Sequence, residues 1–281
     1  MSFLLYKTYM LWYNNIISTL FEGGIMEAFF TGSAEAQGAF SWQHLTFVTS
    51  LMLIMAFLAI FFGRKNRNAS EKQRNNVLIW SALLIDGLEI FKIVIGCVYS
   101  DDILRSLSNA LPLYLCSIQL ITIPLAAFSG GRTKEAALDF VFIFGLLGAV
   151  LGTYGAAQNY ACYPVLSFPN IISGLTHSIS GFASLYIAIS GMISLKLKNA
   201  WISYSILGGF CVFAYIANLF LDTNYMFLMR DDGTPYFIFY NMVNGSRIFY
   251  PLIVVLTLAI WITLFYGAFH IAKKKSQRSK I

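Results

Sequence analysis

Apolar positions gather into seven long runs, near residues 43–63, 77–98, 109–129, 137–157, 170–193, 201–221 and 249–271. Each holds eighteen or more residues, enough for a helix to cross roughly 30 Å of hydrocarbon. They are far too long for barrel strands, so the expected fold is all-α: a polytopic transmembrane bundle of about seven helices with each backbone paired inside its own segment. Residues 1–20 are aromatic and apolar but broken by Lys7, Asn14 and Asn15. They make a poor span and a poor secretory signal, and read as an interfacial helix. A start at Met26 is the other reading, and it leaves a short outer arm from Glu27 to Ala39. The expected organisation is an outer arm over 1–41, a bundle over 42–272 and a basic tail over 273–281.

Charge orients the bundle. Lys and Arg cluster in alternate connections: Arg64, Lys65, Arg67, Lys72 and Arg74; Arg132 and Lys134; Lys196 and Lys198; and the tail with Lys273, Lys274, Lys275, Arg278 and Lys280. These connections read as cytoplasmic by the positive-inside rule, which places the amino terminus outside and the carboxyl terminus inside. The other connections carry Asp101, Asp102 and Arg105, then no charge from Tyr154 to Asn170, then Asp222, Arg230, Asp231, Asp232 and Arg247. The net charge of +6 is thus mostly an orientation signal, with a tail able to touch anionic lipid heads and no support for nucleic-acid binding. With 58% hydrophobic residues, 11% charged residues and a mean hydropathy of +0.67, a soluble globule is excluded and a cell membrane location expected.

Polar groups inside the runs are the candidate chemistry, because ionisable side chains are costly in lipid. Asp86, Glu89 and Lys92 stand three apart on one face of the second helix, with Glu89 and Lys92 the expected pair. In the third run, Asn109 to Ser117 reads Asn-Ala-Leu-Pro-Leu-Tyr-Leu-Cys-Ser, which places Cys116 inside a helix, about 10 Å below its outer end. Pro112 suits a first turn, and Pro124 should bend the helix further in. Gly148 and Gly152 form a small-residue seam in the fourth run. In the fifth, Ser173, His177 and Gly181 recur every four residues, and His177 again lies about 10 Å inside.

A lone thiol in hydrocarbon is usually inert, and Cys211 reads as an apolar filler. Cys97 and Cys162 could meet as an outer disulfide. A thiol with an imidazole at its own depth is different: the base takes the proton and later returns it to the leaving group. Facing lipid, Cys116 and His177 would act on an acyl ester such as a phospholipid, with Asn218 or Asn224 as oxyanion donor and His44, Glu89, Lys92 and Tyr225 in support. His44 also reads as an interfacial residue beside Trp42, as His270 does at the other end. No cofactor is called for: phosphate-cradling loops, nucleotide fingerprints, serine elbows and close zinc-ligand spacings are all lacking. A carrier with a cavity built from Asp86, Glu89, Lys92 and His177 is the main rival, and a lipid-binding scaffold without chemistry is a third. The oligomeric state stays open.

Four stretches carry a resemblance: Phe40-Ser41-x-x-His44-Leu45, Leu111-Pro112-Leu113-x-Leu115-Cys116, His177-Ser178 and Asn224-Tyr225-Met226-Phe227-Leu228. Over roughly residues 27–272 the chain resembles the YwaF-like bacterial membrane proteins, a group similar to the animal transmembrane protein 164 proteins. The resemblance implies about seven helices and, from the animal relatives, lipid acyltransferase activity with an intramembrane cysteine as nucleophile and a histidine as its partner. Those roles fall on Cys116 and His177. Tyr114 stands where that pattern leads one to expect a histidine, which weakens any double-histidine scheme.

Overall fold

The computed structural model describes residues 24–278, so the interfacial helix expected over 1–20 and the tail residue Lys280 lie outside the described residues. Those described form helices and connections without strands. In chain order the helices are α1 (Gly24–Thr31), α2 (Trp42–Asn66), α3 (Glu71–Val98), α4 (Ile103–Asn109), α5 (Gln119–Phe128), α6 (Gly131–Thr153), α7 (Ala157–Cys162), α8 (Phe168–Ile189), α9 (Leu197–Leu221), a 3-10 turn (Tyr225–Phe227), α10 (Phe237–Met242) and α11 (Phe249–Arg278). Local signals start several of them. Ser41 Oγ accepts the His44 N–H at the start of α2, and Ser70 and Gln73 form a reciprocal capping box on α3. Asp222 ends α9 in the left-handed region at φ 52°.

Among the described residues, five helices are long and apolar enough to cross a membrane: α2, α6 running on through α7, α8, α9 and α11. Helix α3 has 28 residues, about 42 Å at the helical rise, but carries the charges of Asp86, Glu89 and Lys92. The third run departs most from expectation. Residues 109–129 are not one helix: α4 stops at Asn109, residues 110–118 form turns, and α5 has only 10 residues, about 15 Å. Cys116 therefore lies in the turn before a half-length helix, not inside a full one. Pro112 accounts for the break, since it has no N–H to donate and steers Leu111 away from helical geometry. Non-helical backbone is tolerated at membrane depth only where protein surrounds it or it lines a water-filled cavity. Here α5 packs against α6 and α3, with Ile118, Ile123 and Ala126 fully buried.

Helices α6 and α8 make the most extensive contact and form the centre, with α2 and α3 also on α8 and the pair α9 and α11 closing against α6. Small residues set the approach. A Cβ on Gly145 would lie 2.7 Å from the Ser180 carbonyl, and one on Gly181 would lie 2.7 Å from Ala149 Cβ. Large apolar side chains such as Leu53, Phe57, Leu83, Phe213 and Phe220 stay on the outside, as on a surface solvated by lipid.

The two kinds of connection sit at opposite ends. At the basic end, Lys134 Nζ donates to Asn75 Oδ1 (2.9 Å), Arg132 Nη2 donates to the Lys198 carbonyl (2.7 Å), and Arg74 Nη1 donates to the Ser190 carbonyl (3.4 Å). At the other end, the Val165 N–H donates to Gln37 Oε1 (2.8 Å), Gln158 Nε2 donates to the Asp232 carbonyl (3.2 Å), and the Tyr225 hydroxyl donates to the Ser108 carbonyl.

Candidate active site

The glycines of α6 locate the site. A Cβ on Gly148 would lie 3.9 Å from Cα and Cβ of Cys116, and a Cβ on Gly152 would run into the imidazole of His177. These glycines are one helical turn apart, about 6 Å along the axis. The cysteine of the broken helix and the histidine of α8 thus rest on successive turns of one seam, in the last two turns of α6, with Cys116 the deeper. Both are half-buried. No hydrogen bond joins them, and the His177 ring bonds to none of the described residues.

Local backbone turns Cys116 toward its neighbours. Three successive i→i+3 hydrogen bonds wind the start of α5: Gln119 N–H to Cys116 O (3.2 Å), Leu120 N–H to Ser117 O (3.0 Å) and Ile121 N–H to Ile118 O (3.0 Å). The sulfur is approached by its own backbone N–H and the Ser117 hydroxyl, three residues before α5 begins. Lys92, paired with Glu89 at 2.6 Å, is close enough for its charge to act on both Cys116 and His177. Asp86 Oδ1, one turn before Glu89, is buried without a hydrogen-bond partner.

The other nominated residues are occupied. His44 is fully buried: the Phe40 N–H donates to its Nδ1 (2.9 Å), its Nε2–H donates to the Thr153 carbonyl (3.2 Å), and its ring stacks on Tyr160 at 3.8 Å. It is a latch between α2, α6 and α7, not a surface residue beside Trp42, which is exposed. Asn218 donates to the Tyr225 carbonyl (3.0 Å) and accepts from the Tyr225 N–H (2.6 Å) and the Thr223 hydroxyl (2.9 Å). Asn224 donates to the Arg230 carbonyl (2.7 Å) and Asp232 Oδ2 (2.7 Å) and accepts from the Met229 and Arg230 N–H groups. Their amides shape the loop that follows α9 and present Tyr225, whose ring meets Tyr114 edge-on at 5.0 Å, two residues before Cys116.

All four cysteines are free, so the Cys97–Cys162 bridge is not formed; Cys211 packs against the Met226 sulfur. His270 is exposed at the basic end. Among the described residues, no three His, Cys, Asp or Glu side chains gather as a metal set. Gln119 and Asp139 stand out among the buried polar residues that the sequence reading passed over. Gln119 is fully buried, its Oε1 accepting from the Thr122 hydroxyl (3.1 Å) and its Nε2 unpartnered. Asp139 is fully buried on α6 and accepts from Ser194 N–H (3.0 Å), Leu195 N–H (2.9 Å), the Ser194 hydroxyl (3.0 Å) and the Tyr266 hydroxyl (3.2 Å). The cost of acids in lipid would have flagged Asp139, and the polar Gln119 stands out at the head of an otherwise apolar helix.

The profile of the TMEM164 family matches residues 39–270. The chain belongs to the TMEM164 family. No curated protein and no solved structure matches it. The TMEM164 match begins just before α2 and ends inside α11, so it takes in both glycines of the seam, Cys116, His177, the Glu89–Lys92 pair and the loop after α9. TMEM164 membership and the five apolar helices together make this a membrane protein.

Proposed function

We propose that this protein is a YwaF-like member of the TMEM164 family that moves or removes acyl chains on membrane phospholipids through a Cys116 thioester. Seven crossings, with the third broken at Cys116, the amino terminus outside and the basic end cytoplasmic, put the seam in the outer leaflet. The observation that carries the reading is that Gly148 and Gly152, one turn apart, seat Cys116 and His177 on one face of α6. In the reaction, His177 takes the thiol proton as the sulfur attacks the ester carbonyl, and the carbonyl electron pair moves onto oxygen. Collapse of that oxyanion breaks the ester C–O bond, and His177 returns the proton to the departing lysolipid oxygen. Water or a second hydroxyl then attacks the thioester by the same route. Glycine at the seam lets both side chains rest directly on the α6 backbone.

Protein reconstituted in vesicles with a labelled phospholipid tests this. Acyl transfer or release is expected from the native chain and is lost, by about 1000-fold or more, in Cys116→Ser and His177→Ala. Acyl movement that persists in Cys116→Ser would sink the proposal. The rival carrier draws support from the unpartnered Asp86 carboxylate beside the Glu89–Lys92 pair. Solute uptake that needs Glu89 and survives Cys116→Ala would favour it.

A further inference from the structure

We propose that the side-chain amide of Gln119 is the hydrogen-bond donor that stabilises the oxyanion formed when Cys116 attacks an acyl carbonyl, with Thr122 holding that amide in place. The proposal rests on the acyl-transfer reading and names a residue that reading lacks. Attack by the Cys116 sulfur forms the C–S bond and leaves a negative charge on the former carbonyl oxygen. Such a charge in a dry site needs donors already aimed at it. Asn218 and Asn224, the donors that composition suggested, are bound within the outer loop.

Gln119 has the opposite character. It is wholly inaccessible, and its Nε2 donates to no described residue. A buried amide without a partner is destabilising, so its position calls for an acceptor that arrives from elsewhere. Three features join it to the sulfur. The Gln119 N–H closes an i→i+3 bond on the Cys116 carbonyl (3.2 Å), and in a 3-10 turn side chains at i and i+3 eclipse one another, so Gln119 and Cys116 leave the chain on one face. The Thr122 hydroxyl lies 3.1 Å from both the Ile118 carbonyl and Oε1; that carbonyl already accepts the Ile121 and Thr122 N–H groups, which leaves the hydroxyl proton for Oε1 and makes Nε2 the free end. Of the other buried unpartnered donors, Arg74 Nε stands at the basic end beside Ser190, and Tyr250 of α11 packs edge-on against Tyr240.

Two reactions at the same sulfur isolate this role. Acylation of Cys116 by a short-chain p-nitrophenyl ester passes through an oxyanion, whereas alkylation by iodoacetamide does not. In the full-length protein in phosphatidylcholine vesicles, Gln119→Met is expected to slow ester acylation about 100-fold and leave alkylation within about twofold. Thr122→Val is expected to slow acylation about 10-fold, the share of one positioning hydrogen bond. Because methionine removes an orphaned amide at similar size, the thermal midpoint of Gln119→Met should hold or rise; a merely structural glutamine would lower it. Equal slowing of both reactions, a lowered midpoint or failure to fold would overturn the proposal. If the native chain is alkylated but never acylated at Cys116, the acyl-transfer reading itself falls and takes this role with it.

Discussion

Two histidines flank one turn of α6 and differ in everything except their closeness to it. His44 bonds through both ring nitrogens, one to the Phe40 N–H and one to the Thr153 carbonyl, and is sandwiched on Tyr160. His177 lies over Gly152, the residue before Thr153, and its ring has no bond to a described residue. Satisfied buried groups hold elements together; an unsatisfied group in an apolar setting costs stability and keeps its bonding capacity for something that comes and goes. The same contrast runs along α6. Near its basic end Asp139 takes four hydrogen bonds and ties the α8–α9 connection to α11, while the glycine seam at its other end gathers Cys116 and His177.

The contrast can be broken by substitution. The largest effect is expected at Asp139→Ala, which orphans the Ser194 and Leu195 N–H groups and should lower unfolding stability by about 3 kcal/mol or more while the activity of each folded molecule is unchanged. Thermal unfolding in detergent, read beside the acyl assay, checks both halves. Gly152→Ala comes next: the added methyl must displace the His177 ring, and a reacting group misplaced by about an ångström loses on the order of 100-fold in rate. Its midpoint should stay close to native because α8 can shift the ring without unpairing a backbone group. A native rate in Gly152→Ala would show that His177 acts from elsewhere or not at all. His44→Ala is the smallest, about 1–3 kcal/mol of stability from the unmet Phe40 N–H and Thr153 carbonyl, with chemistry retained. If His44→Ala instead silenced a well-folded protein, the division between the two histidines would collapse.

Much of the architecture was legible in one dimension. Apolar runs marked the helices, and α2, α6, α8, α9 and α11 appear where runs of about twenty residues stand, because hydrocarbon leaves a long apolar segment few other choices. Asp86, Glu89 and Lys92 could be read as one face from their spacing, and Glu89 and Lys92 do pair. The break at 110–118 was less legible: Pro112 suits either a first turn or the end of a helix, and only the packing of α5 between α3 and α6 selects the second.

The sequence by itself determined that the chain is an apolar helical bundle with two chemically distinct ends, because hydropathy and charge act locally and need no knowledge of neighbours. Only the tertiary structure decided which polar groups are spent and which are free. His44 and His177, or Asn224 and Gln119, carry equal promise as letters; hydrogen-bond saturation depends on partners as far off as Thr153 and Arg230, and on a pair of glycines that bring Cys116 and His177 to one seam. Those distances are set by helix packing, and no local rule contains them.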